Sequence, residues 1–156
     1  PGCLCVSVVL RMDRLGLDNL VGATAFVMGK LRDAVTPAVP GVALAGSGDL
    51  AVGGRKVSGS AQRRKRRYFL HHATLLSALD PARIARYLRP PPRQPEYRAG
   101  RDHAAFLTHI PADPTWLRGR VVTAWEPTGV YPDPPLERVR ELVAEKFGHD
   151  EWTFRS

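Results

Sequence analysis

Three observations predict a mixed α/β fold. A Val-, Leu- and Cys-rich run opens the chain, and a helical repeat follows it. Short strand candidates separated by glycine turns then give way to helices separated by prolines. Strands and helices alternate without a fixed repeating unit, and the one compositionally biased segment is a proline link.

Residues 3–10 read as a buried strand. Cys3 and Cys5, two apart, share one face of it and are expected to be packed core thiols, because no second Cys or His pair stands at metal-ligand spacing. Asp18 is placed to cap a helix in which Leu20, Thr24, Val27, Met28, Leu31 and Val35 recur at helical spacing. Lys30 and Arg32 suit its C-terminal end, and Pro37 and Pro40 stop it. Between 41 and 79 the strand candidates are 42–45, 49–52, 56–58 and 70–79, with Gly53-Gly54 as a hairpin turn. Asp80 caps and Pro81 starts a short helix carrying Ile84, Ala85 and Leu88, which ends before Pro90-Pro91-Pro92. Residues 89–103 read as an irregular basic loop. Asp113 and Pro114 open a helix with Leu117, Val121, Val122 and Trp125 on one side. Asp133 and Pro134 open the last, with Leu136, Val139, Leu142, Val143 and Phe147 inward and Gly148 as its stop.

The chain has 156 residues, 44% apolar and 24% charged, a globular composition long enough to bury a core. Two cysteines exclude a disulfide-dense scaffold. The longest uncharged stretch within a helical pattern, 20–29, is short of the ~20 residues of a membrane span, and no basic-then-apolar leader opens the sequence. A cytoplasmic location without membrane association is the expectation. Net charge is +8, and five basic residues stand together at 63–67. They lie at a turn between strand candidates, with Tyr68 the one aromatic beside them and no groove-reading motif, so nucleic acid is not the expected partner. An acidic protein partner or an anionic cofactor would be served equally by this charge.

The segment 48–62 carries the chemistry. Lys56 stands among Ser58, Gly59, Ser60 and Ala61 after a glycine turn. Small side chains let a ligand approach the backbone, and an ammonium beside them can hold a phosphate or a developing negative charge. Asp49 is placed to face Lys56 across the hairpin. The order of residues is not that of a P-loop. On spacing alone, a plain hairpin with a surface lysine remains the simpler reading.

Gly-Arg-Lys-Val-Ser-Gly-Ser-Ala-Gln at 54–62, followed after eight residues by His71-His72-Ala73-Thr74-Leu75-Leu76, resembles the lipoate–protein ligase A family of the biotin/lipoate ligase and octanoyltransferase group. Asp49-Leu50 is similar to its Asn-Asp-Leu element, with Gly48 in place of Asn. Ala73 stands in place of Gly in the His-His-Gly-Thr motif. The segment Tyr97-Arg98-Ala99-Gly100-Arg101-x-His103-x-x-Phe106-Leu107 is similar to one found in some members.

The resemblance implies an α+β catalytic domain over 1–112, a mixed sheet with flanking helices. Its Arg-Arg-x-Gly-Gly-Gly motif is expected ahead of residue 1, so the sequence is read as an N-terminally truncated, partial domain. A helical portion or accessory subdomain is expected over 113–156. The implied reaction is ATP-dependent activation of lipoate to lipoyl-AMP, then transfer to a lysine of an acceptor lipoyl domain; octanoate is the other candidate acid. Lys56 matches the essential lysine that contacts the acyl carbonyl and the adenylate phosphate. Asp49 matches the acidic position near the nucleotide and Mg²⁺. Ser58 and Gly59 belong to the lysine motif, Ala61, Arg63 and Thr74 match positions lining the adenylate, and His72 belongs to the second motif.

Three rivals remain. An octanoyl or lipoyl transferase of the same fold needs no ATP but uses a cysteine upstream of the lysine, and residues 41–48 contain none. A non-catalytic binding member and a basic nucleic-acid binder are the others. Trp116, Trp125 and Trp152 are expected to pack. His71 is expected to be a strand residue, and His103, His109 and His149 share no metal-ligand spacing. Arg98 and Arg101 are either substrate contacts or a solvated loop.

Overall fold

The computed structural model describes residues 2–154. It divides into two compact units, one ending at Glu126 and one beginning at Pro127.

The first unit is built on one antiparallel sheet. Strand β1 is Cys3–Arg11; the short helix α1, Met12–Leu15, and the long helix α2, Leu20–Val35, follow. Strands β2 (Ala43–Ala45), β3 (Asp49–Val52), β4 (Arg55–Arg64) and β5 (Tyr68–Leu76) come next, and the spatial order is β1-β5-β4-β3-β2. Helix α3, Pro81–Tyr87, a 3-10 turn at Glu96–Arg98, helix α4, His103–Phe106, and helix α5, Pro114–Trp125, complete the unit.

Helix α2 forms where expected, but Asn19 rather than Asp18 caps it, its Oδ1 accepting from the Gly22 N–H at 2.6 Å. Asn19 is the residue with extended backbone one position before the first helical residue, and there a short side-chain oxygen reaches the free N–H groups. The helix ends where the Thr36 hydroxyl donates to the Arg32 carbonyl at 2.8 Å, just before Pro37. Ala23, Val27, Met28, Leu31, Ala34 and Val35 are buried along it. They pack against Leu50, Val57, Phe69, Ala73 and Leu75 of the sheet, together with Leu117 and Val121 of α5. Burying each of these large apolar side chains stabilises the fold by roughly 1.5–3 kcal/mol.

Only one face of the sheet is covered in this way, and that corrects the reading of β1. Its residues alternate between exposed and half-buried, with Leu4, Val6, Val8 and Leu10 facing the core. Cys3 and Cys5 are exposed on the other face instead of packed inside. Strand β4 runs on through Arg63 and Arg64, because both pair with β5, so the basic turn itself is 65–67. Helix α5 holds Leu117 and Val121 in the core; the first unit therefore runs past residue 112, where the sequence places a division, to Glu126.

The second unit contains α6 (Leu136–Leu142), a π-helical turn at Val143–Phe147 and α7 (Asp150–Thr153). Asp133 does not cap α6, whose N-cap position is Pro135. Leu136, Val139, Val143 and Phe147, expected to point inward, are exposed. Phe147 and Trp152 pack edge to face at 4.8 Å. Among the described residues, no helix is long and apolar enough to cross a membrane.

Candidate active site

Strand alternation places the chemically interesting residues on the uncovered face. Side chains on a strand point alternately to the two faces, so Phe69, Ala73 and Leu75 go to the core while His72 and Thr74 go to the open side. Gly59 pairs with Thr74, Ala61 with His72, and Arg63 with Leu70. Asp49 precedes core-facing Leu50 and so joins them.

Lys56 reaches this face through an irregularity. The β3–β4 register pairs Leu50 with Ser58 but Ala51 with Lys56, which leaves Val57 as an extra residue. Such a bulge changes the parity of the strand. Lys56 and Gly59, three apart, thereby come to the same side, and the Lys56 Nζ lies 2.7 Å from Asp49 Oδ1. A Cβ on Gly59 would stand 2.8 Å from that Nζ and 3.5 Å from the Asp49 oxygen. Glycine is therefore what makes room for the ion pair. Asp49 and Lys56 side chains are 14% and 27% exposed, sheltered enough for the pair to be geometrically defined and open enough for a ligand to reach it.

The other predicted residues divide by position. Thr74 lies beside Gly59, its hydroxyl 3.5 Å from the Gly59 carbonyl. His72 is exposed, with Nδ1 2.8 Å from the Ser7 Oγ of β1. Ala61 is exposed next to it. Arg63 is exposed four residues along from Gly59, roughly 13 Å away at the rise of a strand. Ser58 departs from expectation: next to open-face Gly59 and paired with core-facing Leu50 and Leu75, its side chain is fully buried, with Oγ unpartnered. It can offer a ligand its backbone but not its hydroxyl.

Gly48, standing where the related motif has Asn, has a φ of 145°, and a Cβ there would come within 2.6 Å of the Ser60 Oγ. That hydroxyl donates to the Gly48 carbonyl at 2.7 Å, tying the β2–β3 turn to β4. A polar cavity of about 380 Å³ opens beside the ion pair, lined by Ser47, Gly48, Asp49, Lys56, Ser60 and residues 93–95. A more apolar one of about 340 Å³ lies between α2 and the β2–β3 turn, lined by Leu20, Val21, Ala25 and Leu44 among others.

The sequence did not single out Tyr97 as a site residue. Its hydroxyl donates to Asp49 Oδ2 at 2.7 Å, so both oxygens of that carboxylate are engaged. Burial first, and then the hydrogen bond and charge of Asp49, hold the Tyr97 phenol well above its ordinary value. Arg98 and Arg101 do not form a solvated loop. Arg98 is buried 4.8 Å over the Phe106 ring, and the Arg101 Nη2 donates to the carbonyls of Gly54 and Tyr97. Arg55 likewise binds the Leu107 carbonyl at 2.6 Å. His71 is buried on the core side, its pKa lowered by burial and then by His72. Asp49, the carboxylate expected near Mg²⁺, here has Lys56 on Oδ1 and the Tyr97 hydroxyl on Oδ2. Among the described residues, no group of three or more His, Cys, Asp or Glu could hold a metal.

The model of the lipoyl protein ligase A/B catalytic domain matches residues 1–110. The chain belongs to that family. As a lipoyl protein ligase A/B catalytic domain, it also has structural likenesses. A bi-partite lipoate protein ligase of Thermoplasma acidophilum, from an archaeal lipoylation system that includes an E2 lipoyl domain, superposes at a TM-score of 0.77 with 16% identity, over 97% of this chain and 63% of that one. A putative lipoate protein ligase from T. acidophilum with bound lipoic acid gives 0.65 and 17%, over 97% and 64%. Lipoate-protein ligase A bound with ATP gives 0.63 and 18%, again over 97% and 64%. The domain thus spans under two thirds of the length of these structures, and at such identity the likeness shows the fold. A search of curated proteins finds no match.

Proposed function

We propose that this domain activates a lipoyl-type carboxylic acid with ATP and passes the acyl group to a lysine of an acceptor lipoyl domain. The observation that carries the reading is the Lys56–Asp49 ion pair, held beside Gly59 on the open face of the sheet. The acyl carboxylate attacks the α-phosphorus of ATP and pyrophosphate leaves; the acceptor amine then attacks the acyl carbon and AMP leaves. Lys56 swings from Asp49 to the phosphate and acyl carbonyl oxygens, where negative charge builds in both steps. A cation delivered to that position lowers the barrier by roughly 3–4 kcal/mol. Gly59, Ala61 and Thr74 form the low surface on which the adenylate lies, and the backbone of Ser58 borders it. His72, held by Ser7, and Arg63 stand further along the same face. The polar cavity at Lys56 and Gly48 suits the phosphate end. Mg²⁺ brought with the nucleotide would be held by phosphate oxygens and water, with Asp49 as the neighbouring carboxylate once Lys56 has left Oδ1.

A second reading has its own observation. Cys5 is exposed on the open face, paired with Thr74, which in turn pairs with Gly59. Two strand spacings, about 10 Å, separate the backbones of Cys5 and Gly59. An ATP-independent acyl transferase would use such a thiol as nucleophile.

Intact mass of a lipoyl-domain acceptor after incubation with the protein distinguishes the two. The expected mass gain needs lipoate, ATP and Lys56, and Lys56→Ala abolishes it. A gain only from an octanoyl carrier protein, lost in Cys5→Ser, overturns the ligase reading in favour of the transferase. No gain from either donor leaves a binding domain.

A further inference from the structure

Tyr97 is fixed in place by three separate contacts. Its carbonyl accepts from the Arg101 Nη2 at 2.6 Å, and the same nitrogen donates to the Gly54 carbonyl at 2.8 Å, tying this turn to the β3–β4 hairpin. Its ring lies 5.1 Å from that of Phe106. On another side it meets Gly46, where a Cβ would come within 3.3 Å of the ring. The hydroxyl is therefore delivered to Asp49 Oδ2 by a rigid frame. On the opposite oxygen of the same carboxylate sits Lys56.

We propose that Tyr97 is a positioning residue for Lys56: it holds Asp49 and keeps that carboxylate satisfied when the ammonium leaves for an anionic ligand. The Asp49 side chain is only 14% exposed, so water replaces a lost partner poorly. A sheltered carboxylate stripped of every donor is costly, and with no second donor Lys56 would stay bound to it. Tyr97 removes that obstacle. A tyrosine phenol is a donor throughout the neutral range, and burial and then Asp49 hold this one above the ordinary value. The inference rests on the reading of Lys56 as the anion-facing lysine, but it can be tested on Lys56 without any ligand.

The experiment follows acetylation of the whole chain by acetic anhydride, with peptide mass spectrometry at Lys56 and exposed Lys65 as the internal reference. Tyr97→Phe keeps the ring packing and removes the hydroxyl. Modification of Lys56 should slow by about fivefold, since the amine must leave a carboxylate with no other donor. Asp49→Asn should speed it, and adding Tyr97→Phe to Asp49→Asn should change it little. An unchanged or faster Lys56 rate in Tyr97→Phe overturns the proposal. If these rate changes occur while no acyl transfer is found, the ligase reading fails and the role of Tyr97 stands.

Discussion

The two faces of the sheet come from the same strands and do opposite work. On the covered face, Leu50, Val57, Phe69, Ala73 and Leu75 pack against α2 and α5. On the open face, Asp49, Lys56, Gly59, Ala61, His72 and Thr74 are small or polar and remain reachable. Residues one position apart, such as Ala73 and Thr74, thus belong to different physical problems. One is selected by volume and the other by what a ligand can touch.

The largest test of that division contrasts Phe69→Ala with Lys56→Ala. Phe69 is 1% exposed within the core, and its truncation should cost about 3–5 kcal/mol of stability in urea unfolding. Lys56→Ala should leave unfolding nearly unchanged while acyl transfer drops on the order of 10²–10³-fold. Equal losses of stability in the two variants would abolish the distinction between the faces.

Gly59→Ala sharpens it. The new Cβ meets the end of a flexible lysine, not backbone, so the fold should hold while Lys56 is pushed from Asp49. Transfer should fall roughly 10- to 100-fold with little change in melting temperature. A loss of folding instead would show that Gly59 serves the strand and not the site.

A smaller effect should come from His71 on the covered side. Its folded pKa lies below the ordinary 6.5, so the unfolded chain binds its proton more readily. The resulting stability is complete above pH 6.5 and is lost as pH falls toward and through the folded value. Urea midpoints at pH 7.5 and 5.5 should differ less in His71→Asn than in the parent chain. The smallest effect separates two neighbours: Asn19→Ala should cost about 1 kcal/mol through the lost cap of α2, and Asp18→Ala close to nothing.

Local chemistry made much of this molecule legible in one dimension. Glycine and proline punctuation marked the hairpins and helix starts, and Asp80 and Asp113 cap the helices they were expected to open. The period of apolar residues marked α2, and the motif around Lys56 identified the family whose catalytic-domain model matches the chain. Which face would be covered was not legible, because alternation states that two faces differ but not which one a helix will occupy. Hence Cys3 and Cys5 were read as core and are exposed.

The positions of the turns and helix starts and the lysine motif were readable from residue order, since each depends on neighbours close along the chain. Tertiary structure decided the rest. The bulge at Val57 that brings Lys56 to the open face arises from pairing between strands. The bond from Tyr97 to Asp49 joins residues 48 positions apart, through a loop that Arg101 ties to Gly54 of the β3–β4 turn. Contacts of that range depend on where the chain returns in space, and no local preference encodes that.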